Sequence, residues 1–348
     1  MDPTDLKEWS ADELVAELRR RQRARGAGGE RAGGAERTLP GRSSELQHIS
    51  NEELTRTARE RQRVVYGVDD RKDLYQVTQK LPKRASDSVV ALVKASDLKA
   101  EGNAYTLKTE SYQAAYDLCG SEPFISQPIG CFCSGFLVAP DVIATAGHCV
   151  KGDADLAGIR FVFGFRMDDS ATAHVHFTRD DVYTGKRVIA RRLTTADGTD
   201  YAVVQLDRLV VGRNPLPIRR TGKVKNGQSV FVIGHPCGLP QKYASGANVR
   251  DNSHAPYFVA NLDTFGGNSG SPVFNADDGS VEGILVRGET DFVSNGGCSV
   301  SLVCPSSGCR GEDVTRATVW AGKVPKKAAH ANKSTRAKKR RTGSVRRK

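Results

Sequence analysis

From about residue 64 to residue 322 the apolar residues come in short runs cut by Gly, Asn, Asp and Pro, and this punctuation limits the fold more than anything else in the chain. The runs include FLVAPDVIATAG (136–147), IRFVFGF (159–165), YAVVQL (201–206), SVFVIGHP (229–236) and PVFNADDGSVEGILV (272–286). Val and Ile are frequent in them, and a helical period is hard to find. Short β-branched runs bounded by turn residues predict an all-β sandwich or barrel. No stretch of about 18 apolar residues occurs, so no transmembrane segment is expected.

The flanks have a different texture. Residues 1–63 are expected to be helical or disordered, as a pro- or regulatory segment. Ser10 with Glu13 and Ser50 with Glu53 each form a capping-box pattern. The segments they open, SADELVAELRRRQR (10–23) and SNEELTRTARERQR (50–63), share seven of fourteen positions. A duplicated helical element and the shared bias of solvated helices both account for that. The Gly- and Arg-rich stretch between them reads as a linker. Residues 323–348 show no apolar pattern and are expected to be a disordered basic tail. That tail explains the charge. The formal net charge is +12, yet the tail's 12 Lys and Arg removed from 52 leave 40 basic residues against 40 acidic ones. Contact with a polyanion or nucleic acid therefore belongs to the tail. It has no aromatics for base stacking, so such contact would be independent of sequence.

All eight cysteines lie between Cys119 and Cys309. An even, clustered set suggests disulfides and an extracytoplasmic or secreted setting. The charged N-terminus lacks a standard secretory signal, which points the other way.

The chemistry starts with Gly266-Gly267-Asn268-Ser269-Gly270-Ser271-Pro272-Val273. A Ser flanked by glycines suits a tight turn that exposes its hydroxyl. The amides of Gly267 and Ser269 are candidates to stabilise an oxyanion. Such a Ser needs a base, and His148 stands at the end of an apolar run in Val142-Ile143-Ala144-Thr145-Ala146-Gly147-His148-Cys149. His235 is a weaker candidate. His174 and His176 alternate in a strand-like stretch, and His48, His254 and His330 have no supporting context. The imidazole needs a carboxylate to orient it. Asp200 heads the run Asp200-Tyr201-Ala202-Val203-Val204-Gln205-Leu206, whereas the rivals Asp197 and Asp207 read as solvated.

These motifs, taken in the order His148, Asp200, Ser269 and joined by Cys133-Ser134-Gly135-Phe136-Leu137-Val138, resemble the chymotrypsin-like (trypsin-like) serine proteases. The nearest resemblance is to their bacterial glutamyl-endopeptidase branch, over roughly residues 64–290. The resemblance implies two perpendicular six-stranded β-barrels with a triad in the cleft, a domain over 64–322, and a barrel boundary near 210–222. It implies a serine endopeptidase that acts on protein or peptide substrates through an acyl-enzyme and needs no metal or organic cofactor. It also implies a Cys133–Cys149 disulfide. Six cysteines then remain, with 15 possible pairings. Cys298, Cys304 and Cys309 fit no standard zinc spacing, so disulfides or thiols are expected there.

Further implications follow from the same resemblance. Asp263, six residues before Ser269, takes the place where a trypsin-like enzyme keeps the carboxylate for Lys or Arg. The glutamyl branch also carries Asp there, beside a Thr like Thr264, and reads a substrate carboxylate with a His in Gly-Ile-His. Here the motif is Gly283-Ile284-Leu285, and a Leu cannot hold a buried carboxylate. The expected preference is for basic residues or is relaxed, with Asp263, Thr264 and Leu285 as pocket residues. Arg63 followed by Val64 resembles a zymogen cleavage junction, although Asn268 replaces the Asp that normally receives the new amine. The alternative is a catalytically silent protease-like module that binds nucleic acid or acidic partners through its tail.

Overall fold

The computed structural model of this 348-residue chain describes residues 49, 65–66, 69–287, 292–304 and 309–325. The expected N-terminal segment 1–63, His48, the Arg63 and Val64 junction, His330 and the tail from 326 onward lie outside the described residues, Ile49 apart. Among the described residues no helix is long and apolar enough to cross a membrane.

Twelve strands build two closed barrels. The first contains β1 (Val89–Lys94), β2 (Cys133–Ala139), β3 (Val142–Thr145), β4 (Ile159–Phe163), β5 (Val182–Leu193) and β6 (Asp200–Leu206). They close in the order β1–β2–β3–β6–β5–β4, every pair antiparallel. The second contains β7 (Ser229–Gly234), β8 (Lys242–Asp251), β9 (Tyr257–Ala260), β10 (Pro272–Asn275), β11 (Val281–Arg287) and β12 (Glu312–Arg316). It repeats the same order, β7–β8–β9–β12–β11–β10, and the β7–β8 pairing closes it. Closure pairs the six strands of the first barrel on both sides, and a short seventh strand, Lys72–Asp73, adds to β8 of the second. The all-β expectation of two six-stranded barrels therefore holds.

The short apolar runs become strands for a physical reason. β2 buries all seven of its residues, and β1 buries five of six. A strand covered on both faces needs a continuous apolar run rather than an alternating one. Burying each large side chain contributes on the order of 1.5–3 kcal/mol. One cluster joins Phe136, Ile143, Val204 and Phe161 of the first barrel to Phe231, Ile233, Phe274 and Ile284 of the second. A second fills the other barrel with Val230, Val249, Phe258, Leu262, Leu285 and Val314. After β12, a short helix (Ala317–Trp320) sends the fully buried Trp320 back against Phe136, with ring centroids 5.8 Å apart. These contacts hold the two barrels in a fixed relation, which a site drawn from both requires.

Three disulfides add to this: Cys133–Cys149, Cys119–Cys298 and Cys304–Cys309. The first is the pairing that the resemblance implied. The sulfurs of Cys298, Cys304 and Cys309 are all bonded, and Cys131 and Cys237 remain as thiols.

Candidate active site

His148 stands in the turn that follows β3. Cys149, next to it, is tied by its disulfide to Cys133 at the start of β2. Asp200 is the first residue of β6 and is 1% exposed. The His148 Nδ1–H donates to Asp200 Oδ2 at 2.7 Å. The other carboxylate oxygen accepts from the amides of Gly147 at 2.6 Å and His148 at 3.2 Å. Burial alone would push the Asp200 carboxyl up. The charge and hydrogen bond of His148, the charge of Arg287 and the Gly147 amide outweigh it and hold that carboxyl below its ordinary value. A carboxylate that accepts several N–H groups stays ionised even when buried. With Nδ1 committed to Asp200, a neutral His148 keeps the lone pair on Nε2 as the base, and its side chain is 15% exposed.

This approach needs a glycine at 147. A Cβ there would lie 2.8 Å from the carbonyl oxygens of Arg192 and Tyr201. Asp200 also links the barrels, because its amide donates to the Thr315 hydroxyl of β12 at 3.3 Å.

Ser269 lies on a tight turn between two glycines of positive φ, Gly267 at 82° and Gly270 at 90°. A Cβ on Gly270 would collide with the Ser134 carbonyl and the Thr145 hydroxyl. Within the turn, the Asn268 amide donates to Phe265 at 3.1 Å and the Ser271 amide to Asn268 at 2.9 Å. Ser134 of β2 grips it from the other barrel: its amide donates to the Ser269 carbonyl at 2.8 Å and its hydroxyl to the Gly267 carbonyl at 3.1 Å. The Cys149 sulfur lies 3.7 Å from the same Ser269 carbonyl oxygen. The turn therefore packs on the disulfide beside His148.

The segment after β7 supports the turn from below. The His235 amide donates to the Ser134 hydroxyl at 3.0 Å, and the Cys237 amide donates to the Gly266 carbonyl. A Cβ on Gly267 would meet the His235 carbonyl and the Gly238 amide nitrogen at 2.8 Å. Cys237 holds this close fit with a positive φ of 53°, which is costly for a residue with a Cβ. Neither Ser134 nor Cys237 stood out in the sequence. Ser134 lay inside a recognised motif but showed no sign of its bonding role.

The other candidates fall elsewhere. His235 is 1% exposed, stacks on Phe165, and has its Nδ1 3.0 Å from the Leu239 carbonyl. Burial pulls its pKa down to about 4, so it is a neutral core histidine. His174 pairs with Asp168, His176 meets Thr106, and His254 pairs with Asp251, all at the surface. Asp197 binds Arg192, and Asp207 binds Arg208. Cys133, His148 and Cys149 are the one grouping of three potential metal ligands among the described residues. Its two sulfurs are bonded to each other, which removes the thiolates a metal would take.

The expected pocket residues are placed as follows. Asp263 is 4% exposed, and its two oxygens accept from the amides of Tyr66 at 2.7 Å and Asp70 at 3.1 Å. Desolvation pushes its pKa up to about 7 against the pull of those two amides. The Thr264 hydroxyl donates at 3.0 Å to Glu312, a fully buried carboxylate on β12 that the sequence reading missed. Leu285 packs in the core of the second barrel, and its carbonyl accepts from the Gly270 amide at 2.8 Å.

Residues 133–284 match the family described as trypsin-like peptidase domain. Among curated proteins, the chain is 28% identical over 183 residues to a probable periplasmic serine endoprotease, DegP-like, of Marinomonas sp. (strain MWYL1). That match spans 50% of this chain and 33% of the relative. It is also 28% identical over 200 residues to the secreted RxLR effector protein 73 of Plasmopara viticola, spanning 53% of this chain and 48% of that protein. The chain thus covers less than half the length of either relative. Among solved structures, a Glu endopeptidase aligns with 75% of this chain and 97% of its own, at 18% identity and a TM-score of 0.41. The VesB protease of Vibrio cholerae aligns with 75% and 66%, at 15% identity and a TM-score of 0.45.

Proposed function

We propose that the chain is a serine endopeptidase whose nucleophile is Ser269, with His148 as its base and Asp200 as the group that fixes the tautomer of His148. The observation that carries this is the 2.7 Å contact from His148 Nδ1 to an ionised, buried Asp200, made beside the glycine-flanked turn that bears Ser269. His148 Nε2 takes the hydroxyl proton as Ser269 Oγ attacks the scissile carbonyl carbon. The amides of Gly267 and Ser269 stabilise the resulting oxyanion. His148 returns the proton to the leaving amine, and an acyl-enzyme forms. Water, deprotonated by His148, then releases the acid and restores Ser269. Residues 64–322 form the peptidase unit in this proposal, with 1–63 and 323–348 as additions. Processing between Arg63 and Val64 belongs to the same proposal, and recovery of active protein that still begins at Met1 would refute that part.

The test is labelling with a fluorophosphonate probe, wild type beside Ser269→Ala, before and after limited trypsin treatment. Labelling that vanishes in the variant supports the nucleophile. Absence of labelling under both conditions would overturn it and shift the weight to a silent binding module.

A further inference from the structure

We infer that Asp263 anchors an N-terminal strap to the base of the nucleophile turn and is not the group that reads the substrate residue before the scissile bond; the second half of this rests on the peptidase proposal above.

Both carboxylate oxygens of Asp263 are engaged by backbone amides nearly 200 positions away in the chain: Tyr66 N–H on Oδ1 at 2.7 Å and Asp70 N–H on Oδ2 at 3.1 Å. A carboxylate that reads a substrate cation needs at least one oxygen facing an open pocket. This one is 4% exposed. The acids beside it, Asp70 and Asp69, raise its proton affinity further, so it is a poor fixed anion for a Lys or Arg side chain near neutral pH.

The described parts of the strap, residues 65–66 and 69–73, are also held by other contacts. Val65–Tyr66 pairs in parallel with Val303–Cys304, next to the Cys304–Cys309 disulfide. The Tyr66 ring is buried under the Arg250 guanidinium, 4.7 Å away. Arg71 is forked onto Asp69 by two bonds of 2.8 and 2.6 Å. Its guanidinium lies 4.1 Å from the ring of Phe265, which stands between Asp263 and Ser269. Lys72–Asp73 pairs with Tyr243 and Lys242 of β8, and Asp73 and Lys242 form a buried ion pair. A substrate cation aimed at Asp263 would have to reach a carboxylate that is 4% exposed, already accepts an amide on each oxygen, and stands against a segment held at residues 65–66 and 72–73.

The geometry has a regulatory corollary. Both donors are amides within the chain, so docking needs no newly freed amine. The two bonds that hold Asp263 are thus made by the amides of Tyr66 and Asp70, with no terminal amine among them.

The experiment compares the full-length wild type with Asp263→Asn by three readouts. Hydrogen exchange of residues 65–73 is expected to quicken about tenfold or more in the variant, since an Asn amide faces one of the two N–H donors with N–H of its own. Cleavage of a peptide library varied before the scissile bond is expected to give the same residue preference in both proteins. Any slowing of fluorophosphonate labelling by benzamidine, a small cation probe, is expected to be equal in both. Unchanged exchange in the strap would overturn the anchor. A Lys/Arg preference or a benzamidine effect present in wild type and lost in Asp263→Asn would overturn the exclusion of Asp263 from substrate reading. If Asp263→Asn does not fold, wild type decides alone: faster strap exchange on saturation with benzamidine overturns the inference, and unchanged exchange supports it. If wild type takes no label at all, the peptidase proposal fails while the exchange readout still tests the anchor.

Discussion

The sharpest test of the proposed mechanism is Asp200→Asn, a change of one atom's chemistry in a fully packed setting. The carboxylate now accepts from three N–H groups: His148 Nδ1, the Gly147 amide and the His148 amide. An Asn can keep its oxygen where Oδ1 is and satisfy both amides. Its NH2 then faces Nδ1, and two donors cannot bond to each other. The imidazole must move its proton to Nε2, the atom that has to accept from Ser269. A tautomer error of this kind lowers turnover about 10⁴-fold in triad hydrolases, equivalent to about 5.4 kcal/mol of transition-state stabilisation. The fold should lose less. One strong hydrogen bond to a charged group is removed while its neighbours stay satisfied, so the expected stability cost is about 1–3 kcal/mol. The assay is kcat/KM on a peptide amide substrate together with denaturant unfolding of the same preparation. A loss of less than tenfold in kcat/KM, with unfolding free energy within those bounds, would refute the assigned role of Asp200.

Three other outcomes follow from the same geometry. Gly270→Ala forces a Cβ onto the Ser134 carbonyl and the Thr145 hydroxyl at a φ of 90°; it should cost at least about 3 kcal/mol, seen as a large drop in unfolding midpoint with loss of probe labelling. His235 has its folded-state pKa lowered to about 4 by burial, from 6.5. The unfolded chain therefore binds the extra proton first, so this group's stability is complete above pH 6.5 and lost as pH falls from 6.5 toward 4, by up to about 3 kcal/mol; His235→Gln should flatten that part of the stability–pH curve. Lys242→Met strands Asp73 in the interior and should cost about 3–5 kcal/mol, with much of it recovered in Lys242→Met/Asp73→Leu, measured as a double-mutant cycle.

What could be read from the sequence, and what could not, divides by range. The apolar runs that became β2 and β6 are local patterns, and the fold class followed from them. Asp200 was legible as well, because a carboxylate at the head of a buried run has few roles other than holding a partner. Its rivals read as solvated, Asp197 in a Gly-containing turn and Asp207 beside Arg208, and the structure places them in surface pairs with Arg192 and Arg208. Asp263 illustrates the opposite case. Its position relative to Ser269 suggested a pocket carboxylate, yet its partners Tyr66 and Asp70 are brought to it only by the closure of the whole second barrel and its strap. Glu312 and the Cys119–Cys298 pair, separated by 179 positions, were hidden for the same reason. Long-range pairings of polar groups leave no period in the sequence.

Neighbouring residues place His148, Asp200 and Ser269: Gly147 by the room it leaves for Asp200, Ser134 by gripping the Ser269 turn from the first barrel, and Cys237 by its amide on Gly266. Ser134 touches the turn at both Gly267 and Ser269, so it bears on the proposed nucleophile and on one proposed oxyanion donor at once. Ser134→Ala keeps the backbone amide on Ser269 and removes only the hydroxyl, which serves Gly267 and His235. If the hydroxyl sets the oxyanion donor, this variant should lose about tenfold in kcat with KM nearly unchanged, because the missing interaction matters only as charge develops. A rise in KM at constant kcat would instead mean that Ser134 shapes ground-state binding. The two parameters separate these cases in one titration, and a variant with both unchanged would remove Ser134 from the account.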